Sequence, residues 1–553
     1  MQKRKITWFV LIASIAFFVS LTSFKVLDKY FDIAKNIDIF VTLYKEVNNY
    51  YVDEINPNTL MKTGIDAMLK SLDPYTSYIP EDEIEDYRTM TTGQYGGIGA
   101  LVGNRNGKII ITLPYEGFPA HKAGLRVNDE IVKIGDLTVT GKQTSDVSKL
   151  LKGQAGTKVK ITVKKFGKNT TEEIELTRET IKLKNVPYYR MVADDIGYLQ
   201  LTDFTMNASR EVKNAVEDLK AQGAKKIIID LRGNPGGLLN EAVNIANLFI
   251  PKDAEVVKTK GKIAEWNKTY KAMQAPLDTE IPLAVLINGR SASASEIVAG
   301  VIQDYDRGVL IGQRTFGKGL VQSTRPLSYN SQVKITTAKY YIPSGRCIQA
   351  IDYTHRKPDG TAGKIADSLR SAFKTKNGRT VYDGAGLEAD IPIEAKKSSP
   401  IVTALRGKDL LFEYAGEFYL KNPNLNKSPK EFSLSDAQYN EFVQWVKNKK
   451  IDYKTQVERQ IEELEKTAKE EKYFDSLKET INTLKMRLAS SKEADLMTFK
   501  DEIKTQLEIE IATYYHLQRG QIEASLKNDE ELKAAIEILK DEAKYKEILQ
   551  AKK

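Results

Sequence analysis

Three serines stand within five residues in "NGRSASASEI", at Ser291, Ser293 and Ser295. The segment follows an apolar run, "PLAVLI" at 282–287, and leads into a stretch that reads as a helix through about Tyr305. A serine becomes a nucleophile only if a base takes its proton. The chain has three histidines, His121, His355 and His516, and none accompanies an obvious nucleophile. A Ser-His-Asp arrangement is therefore unsupported, although triads are set by geometry and His355 stays open on that ground. One cysteine, Cys347, and no paired histidines argue against a zinc site.

The other base available to a serine is a neutral lysine, and burial in an apolar setting favours the neutral amine. "TFGKGLVQ" at 315–322 places Lys318 between Gly317 and Gly319, with Phe316 and Leu320 outside them. Glycines on both sides allow a sharp turn and leave the lysine uncrowded; an exposed turn lysine is the plainer reading of this stretch alone. A third piece, "DLRGNPGG" at 230–237, lies between a buried strand and a helix. A glycine turn at a helix start presents backbone N–H groups, the parts of an oxyanion hole.

The elements around these pieces alternate. "IGYLQLTDF" (196–204), "KKIIID" (225–230), "PLAVLI" and "GVLIG" (308–312) read as strands. "SREVKNAVEDLKAQG" (209–223) reads as an amphipathic helix capped by Ser209, with Val212, Ala215, Val216 and Leu219 on one face and Gly223 at its end. "GLLNEAVNIANLFI" (237–250) reads as another, so the segment is an α/β layer domain. Residues 93–178 are glycine-rich with short β-rich runs, "KIIITL", "DEIVKIGDLTV" and "KVKITVKK", and a short helix ended by Gly124. Residues 26–90 read as helical, with Ile33, Ile37, Phe40, Val41 and Tyr44 at helix spacing, broken by "SLDPYTSYIP". Residues 396–553 predict long amphipathic helices, in a hairpin or a short coiled coil, from the spacing of Val457, Ile461 and Leu464 and of Leu477, Ile481, Leu484 and Leu488.

Taken together, "SASASEI", "FGKG", a glutamine four residues past the lysine and "DLRGNPGG" resemble the carboxyl-terminal processing peptidases, or tail-specific proteases. The resemblance covers residues 26–395. It implies an α/β peptidase core of the crotonase/Clp-protease type with an inserted PDZ domain, and a Ser-Lys dyad. In the family the central serine of S-A-S-A-S is the nucleophile and the lysine follows 25 residues on; here 318 − 293 = 25. Carried over by position, Ser293 is the nucleophile, Lys318 the general base and Gln322 the residue that orients the lysine. The N–H of Ala294 is one oxyanion donor. Gly236 is the other, with Gly237 as the alternative, because this chain has Asn234-Pro235-Gly236-Gly237 where the family often has three glycines. "YGGIGALV" (95–102) resembles a PDZ carboxylate-binding loop, which implies that Gly97, Ile98 and Gly99 receive a peptide C-terminus while the peptide adds as a strand. Ser291 and Ser295 then read as turn and cap residues, and Glu296 as first-turn helix stabilisation.

The chain of 553 residues is too long for one core. Its net charge of +9 is mixed along the sequence, which argues for a solvated surface and against nucleic-acid binding. Lys3, Arg4 and Lys5 precede an uncharged apolar segment, 6–24. It is long enough to cross most of a bilayer core, with the basic flank on the cytoplasmic side, so an uncleaved signal anchor or a cleaved signal peptide is expected. The expected order is an anchor over 1–25, a helical N-terminal region over 26–90, a PDZ domain over 91–180, the peptidase core over 181–395 and a helical extension over 396–553. The function that follows is an inner-membrane-anchored serine endopeptidase outside the cytoplasm, in the periplasm of a bacterial envelope. It binds protein C-termini and needs no cofactor or metal. A silent or latent PDZ-peptidase scaffold is the alternative. The extension is left as an oligomer or adaptor interface, a lid or a stabilising appendage.

Overall fold

The computed structural model describes residues 30–551 except 169, 426 and 450. The apolar segment 6–24 lies outside the described residues; among those described, no helix is long and apolar enough to cross a membrane. The chain divides into two compact units, Met1–Tyr78 and Ile79–Lys553. In the first, residues 30–50 are helical and a second helix, Pro57–Lys70, follows. Asn56 caps that helix, its side-chain oxygen accepting from Thr59 N at 3.1 Å. Ile33, Ile37, Phe40 and Val41 are exposed.

The second unit opens with the helix Ile84–Thr92, closed by Gly93 at φ 68°. An antiparallel sheet follows, in the order Ala100–Arg105, Lys108–Pro114, Glu130–Ile134, Lys158–Lys164 and Thr171–Thr177. Ile109, Ile111, Ile131, Ile161 and Val163 form its core with Val147 and Leu151 of the helix Thr144–Leu151. Ile110 is also buried, but in the cluster formed by the C-terminal helices. The unbroken run "IIIT" thus has an explanation: both faces of that strand are covered.

The α/β domain is built on a six-stranded sheet in the order Tyr188–Ala193, Ile196–Gln200, Lys226–Asp230, Leu283–Ile287, Gly308–Gly312 and Ile391–Pro392. The first pair is antiparallel and the rest are parallel. Alternate side chains go to opposite faces. Leu199, Ile227, Ile229, Val285 and Leu310 pack against the helices Ala208–Ala221, Leu239–Asn247 and Ala294–Asp304. Tyr198, Ile228, Leu286, Val309 and Ile311 face the other way, onto Leu532, Ala535, Ile538, Leu539 and Tyr545 of the helices Glu530–Lys540 and Glu542–Ile548. The end of the helical extension is therefore a layer of the α/β domain. Each fully buried apolar side chain in it contributes roughly 1.5–3 kcal/mol.

The rest of the extension forms a bundle around Leu411, Phe442, Leu507 and Ile511, which also takes in Ile110 and Val127 of the β-rich domain. The helix Lys500–Ser525 is broken at Leu517, with φ 50° and ψ −143°, so Ile503 and Leu507 belong to the bundle and Ile522 packs with the six-stranded sheet. Gln456–Glu470 and Phe474–Thr498 pack on each other as a helical hairpin. Ile461 and Ile481 are buried in it while Val457, Leu464, Leu477 and Leu484 are exposed, so most of the apolar positions that suggested a seam face solvent.

Two differences from the sequence reading stand out. Ser209 does not cap its helix, which starts at Ala208 after Asn207. The Glu241 carboxylate of the next helix accepts from Asn207 N at 3.1 Å and Ser209 N at 2.8 Å and satisfies the first turn instead. A second sheet, with Glu255–Gly261 between Lys268–Lys271 and Gln332–Tyr341, and with Leu320–Pro326 also paired to Gln332–Tyr341, lies beyond the strands read from sequence.

Candidate active site

Ser293 stands between the strand Leu283–Ile287 and the helix Ala294–Asp304, as the helix N-cap. Its backbone has φ 56° and ψ −112°, a strained conformation for a residue with a side chain. The surroundings over-determine it. Ser293 N donates to Glu296 Oε2 at 2.8 Å, and Tyr340 Oη donates to Ser293 O at 3.2 Å.

The flanking serines tie this turn to the loop after Lys226–Asp230. Ser291 Oγ donates to Leu231 O at 2.8 Å and accepts from Asn288 N at 3.0 Å. Ser295 Oγ donates to Asn234 O at 3.0 Å, and Ala292 N donates to the same carbonyl at 3.0 Å. Ser291, Ser295 and Asn234 are fully buried. Asn234 holds its own loop: Nδ2 donates to Leu201 O at 2.7 Å and Oδ1 accepts from Gly236 N at 2.8 Å. The three closely spaced serines thus divide the work, with two outer hydroxyls fixing two loops together and the central one left facing the cleft.

Lys318 arrives from the loop after Gly308–Gly312. Thr315 Oγ1 and Gly317 N donate to Glu296 Oε1 at 2.5 and 2.8 Å, and Lys318 N donates to Glu296 Oε2 at 2.9 Å. Glu296 is fully buried. Burial pushes its carboxyl above the usual glutamate range, against the pull of those donors and of Ser293 N. Gln322 sits at a bulge in Leu320–Pro326, its Nε2 donating to Thr336 Oγ1 at 3.2 Å.

Ser293, Ala294, Lys318, Gln322, Gly236 and Gly237 line one cleft of about 570 Å³, with apolar walls that include Met90, Leu238 and Ile297. None of the three histidines lines it. His355 is exposed and pairs with Asp352 at 2.8 Å; His121 Nδ1 accepts from Gly117 N at 3.3 Å. Gly236 approaches the Ser293 turn closely: a Cβ there would lie 2.7 Å from Ala292 O and 2.8 Å from Ala294 N. Its N–H is taken by Asn234, while the N–H of Gly237 makes no hydrogen bond among the described residues.

Gly97, Ile98 and Gly99 do not line this cleft. Gly97 ends the strand Gln94–Gly97, which pairs with Glu179–Lys182. Ile98 is buried in the sheet core, and Gly99 turns the chain at φ 73°. The strand that follows, Ala100–Arg105, is at the end of its sheet, next to the helix Thr144–Leu151. An edge of that kind can accept an added strand.

Glu296, Asn234, Thr315 and Tyr340 complete the site without having been singled out as its parts from sequence. The available signal was the acid three residues past Ser293; its partners come from a different loop.

The sequence matches the family model of peptidase family S41 over residues 195–359, a PDZ domain over 110–165 and the probable PDZ-protease C-terminal helical domain over 401–539. A carboxy-terminal-processing protease of Bartonella bacilliformis is 38% identical over 324 residues, 58% of this chain and 74% of that one. A probable CtpA-like serine protease of Staphylococcus aureus is 37% identical over 329 residues, 59% of this chain and 64% of that one. The solved photosystem II D1 C-terminal processing protease is 27% identical, with a TM-score of 0.34, covering 64% of this chain and 92% of that one. With 74% of a relative covered at 38% identity, the chain belongs to peptidase family S41, as a carboxy-terminal-processing serine protease with a PDZ domain.

Proposed function

We propose that this protein is an endopeptidase that takes hold of a protein C-terminus through its PDZ domain and cleaves near it with a Ser293–Lys318 dyad. The observation that carries the reading is that both residues line one cleft while one buried carboxylate, Glu296, holds the backbone N–H of each. Lys318 accepts the Ser293 hydroxyl proton as Oγ attacks the scissile carbonyl. The tetrahedral intermediate collapses to an acyl-enzyme, and the same proton passes to the leaving amine. A water, deprotonated by Lys318, then releases the acyl group. Gln322 orients the lysine. The oxyanion donors are Ala294 N–H and the Gly236-Gly237 turn; with Gly236 spent on Asn234, Gly237 N–H is the second donor in this arrangement. The apolar cleft walls favour an apolar side chain at the cleavage site.

The proposal extends to placement. The basic flank and apolar segment 6–24 support an envelope protein, anchored in the inner membrane with its catalytic part outside the cytoplasm. Protease accessibility in intact spheroplasts tests this, and protection of the catalytic part would refute it.

The test of the chemistry is cleavage of an unfolded reporter with an apolar C-terminal tail by wild type, Ser293→Ala and Lys318→Ala. Cleavage by wild type alone is expected, rising with pH because the base acts as the neutral amine; a profile that falls between about pH 6 and 9 counts against the dyad. A silent wild type that still binds the tail would favour a latent enzyme or a scaffold.

A further inference from the structure

Arg232 stands at the root of the loop that carries Gly236 and Gly237, and its guanidinium is gripped from two sides. Nε and Nη2 donate to Asp230 Oδ1 and Oδ2 at 2.9 and 2.6 Å. Nη1 and Nη2 donate to Asp529 Oδ1 and Oδ2 at 2.9 and 2.6 Å, and Nη1 donates again to Glu531 Oε2 at 3.3 Å. These bonds use every N–H of the guanidinium. Asp529 stands 297 positions after Arg232 in the chain, as the cap of the helix Glu530–Lys540. The clamp is largely shut off from water: the side chains of Arg232, Asp230 and Asp529 are 16%, 2% and 9% exposed. Bidentate pairs in that setting hold direction in a way that surface ion pairs do not.

The same helix start reaches the other catalytic loop. Glu531 Oε1 accepts from Gln313 Nε2 at 2.8 Å, and Gln313 is the first residue after Gly308–Gly312, on the way to Lys318. Asp529 is itself fixed, Oδ1 accepting from Leu532 N at 2.9 Å. Covering the sheet requires only the apolar face of this helix, which Leu532, Ala535, Ile538 and Leu539 provide. The acids at its start point instead at the carboxyl ends of two strands, where both catalytic loops begin.

We propose that Asp529 and Glu531 are positioning residues for peptide hydrolysis, fixing through Arg232 and Gln313 the roots of the two loops that bring the Gly236-Gly237 oxyanion donor and Lys318 to Ser293. The proposal rests on the Ser293–Lys318 reading. In an active site assembled from separate loops, small displacements of the supporting groups act on turnover more than on binding.

The experiment uses the full chain carrying Asp529→Asn, Glu531→Gln or Ile538→Ala, beside wild type and Ser293→Ala. Steady-state hydrolysis of a short chromogenic peptide gives kcat and KM, and amide hydrogen exchange is followed over 231–238 and 313–319. Asp529→Asn is expected to lower kcat about tenfold with KM within about twofold, and to speed exchange in both loops. Glu531→Gln does the same to a smaller degree and serves if Asp529→Asn does not fold. Ile538→Ala removes packing without touching the clamp and should lower the thermal midpoint while leaving kcat of the folded protein unchanged. A kcat in both acid variants equal to wild type, or changes that track the thermal midpoint as in Ile538→Ala, would overturn the proposal. If wild type hydrolyses no more than Ser293→Ala, the chain is latent, a scaffold or without the dyad chemistry, and loop exchange decides the clamp by itself: unchanged protection in both loops sinks it.

Discussion

The backbone N–H of Lys318 donates to Glu296 Oε2 at 2.9 Å, and the N–H of Ser293 donates to that same oxygen at 2.8 Å. One atom therefore sets the spacing between two chain segments that arrive from different strands. Glu296→Gln puts an amide where three N–H donors and a hydroxyl converge, so at least one donor pair faces an NH₂ group. Each buried donor left unsatisfied costs about 1–3 kcal/mol. The expected result is a stability loss of about 2–4 kcal/mol in denaturant titration and a kcat drop on the order of 100-fold. A variant with wild-type kcat would show that the two segments hold their spacing without the carboxylate.

The same residue sets a pH dependence of stability. Burial raises the folded-state pKa of Glu296 above that of an unfolded glutamate, about 4.3. The folded state then binds more protons than the unfolded state between the two values, so this group's contribution is fully present below about pH 4.3 and is lost as pH rises through the folded pKa. Glutamine does not titrate. The unfolding free energy of wild type minus that of Glu296→Gln is therefore expected to shrink as pH rises from about 4 toward neutrality. An increase over that range would mean that the donors outweigh burial and hold the carboxylate ionised.

Gly236 has φ 98°, and a Cβ on it would stand 2.9 Å from the Cβ of Ser293. Gly236→Ala must move either its own loop or Ser293. Cleavage is expected to fall at least about 100-fold while far-ultraviolet circular dichroism stays that of wild type. Full activity would place the two backbones further apart than they stand here.

Ser295→Ala removes one of two donors to the Asn234 carbonyl, and Ala292 N keeps the other. The stability cost should be about 1 kcal/mol. Ser291→Ala loses more, because that hydroxyl both donates to Leu231 O and accepts from Asn288 N. Thermal unfolding of the two single variants and the double variant checks the order; a larger loss at Ser295 would reverse it.

Gly99→Ala addresses tail binding separately from chemistry. The position has φ 73°, and a Cβ would overlap that of Phe118. Affinity for a fluorescent C-terminal tail peptide is expected to fall at least about tenfold, with hydrolysis of a short peptide unaffected. Equal losses in both assays would mean that the two sites are coupled.

The sequence shows the four inner strands of the peptidase sheet, which are buried and read as apolar runs, as at Lys226–Asp230 and Leu283–Ile287, whereas the outer strands Tyr188–Ala193 and Ile391–Pro392 are partly exposed and do not read as strands. Ser293 and Lys318 are legible through their short flanking motifs. Glu296 is harder to read. Sequence shows an acid in a first helical turn, which has an adequate local explanation, whereas its partners Thr315, Gly317 and Lys318 follow 19 to 22 positions later. Ser209 fails as a cap for a related reason: Glu241, on the next helix, reaches the same N–H groups with a stronger acceptor. The hairpin Leu320–Pro326 with Gln332–Tyr341 carries few fully buried side chains, so its alternation is weak. The place of 530–548 on the peptidase sheet is a long-range packing choice that helical periodicity leaves open.

That last layer limits how the chain can be divided. Tyr545 accepts from Leu283 N at 3.0 Å and donates to Leu283 O at 3.1 Å, and around it Leu286, Val309 and Ile311 lie under the final helices. A peptidase domain excised at residue 395 would bare that face as one continuous apolar patch and invite aggregation. Chimeras between relatives would inherit the same constraint. A catalytic domain moved into another scaffold must bring residues 530–548 with it, by fusion or as a second polypeptide, to regain a soluble fold.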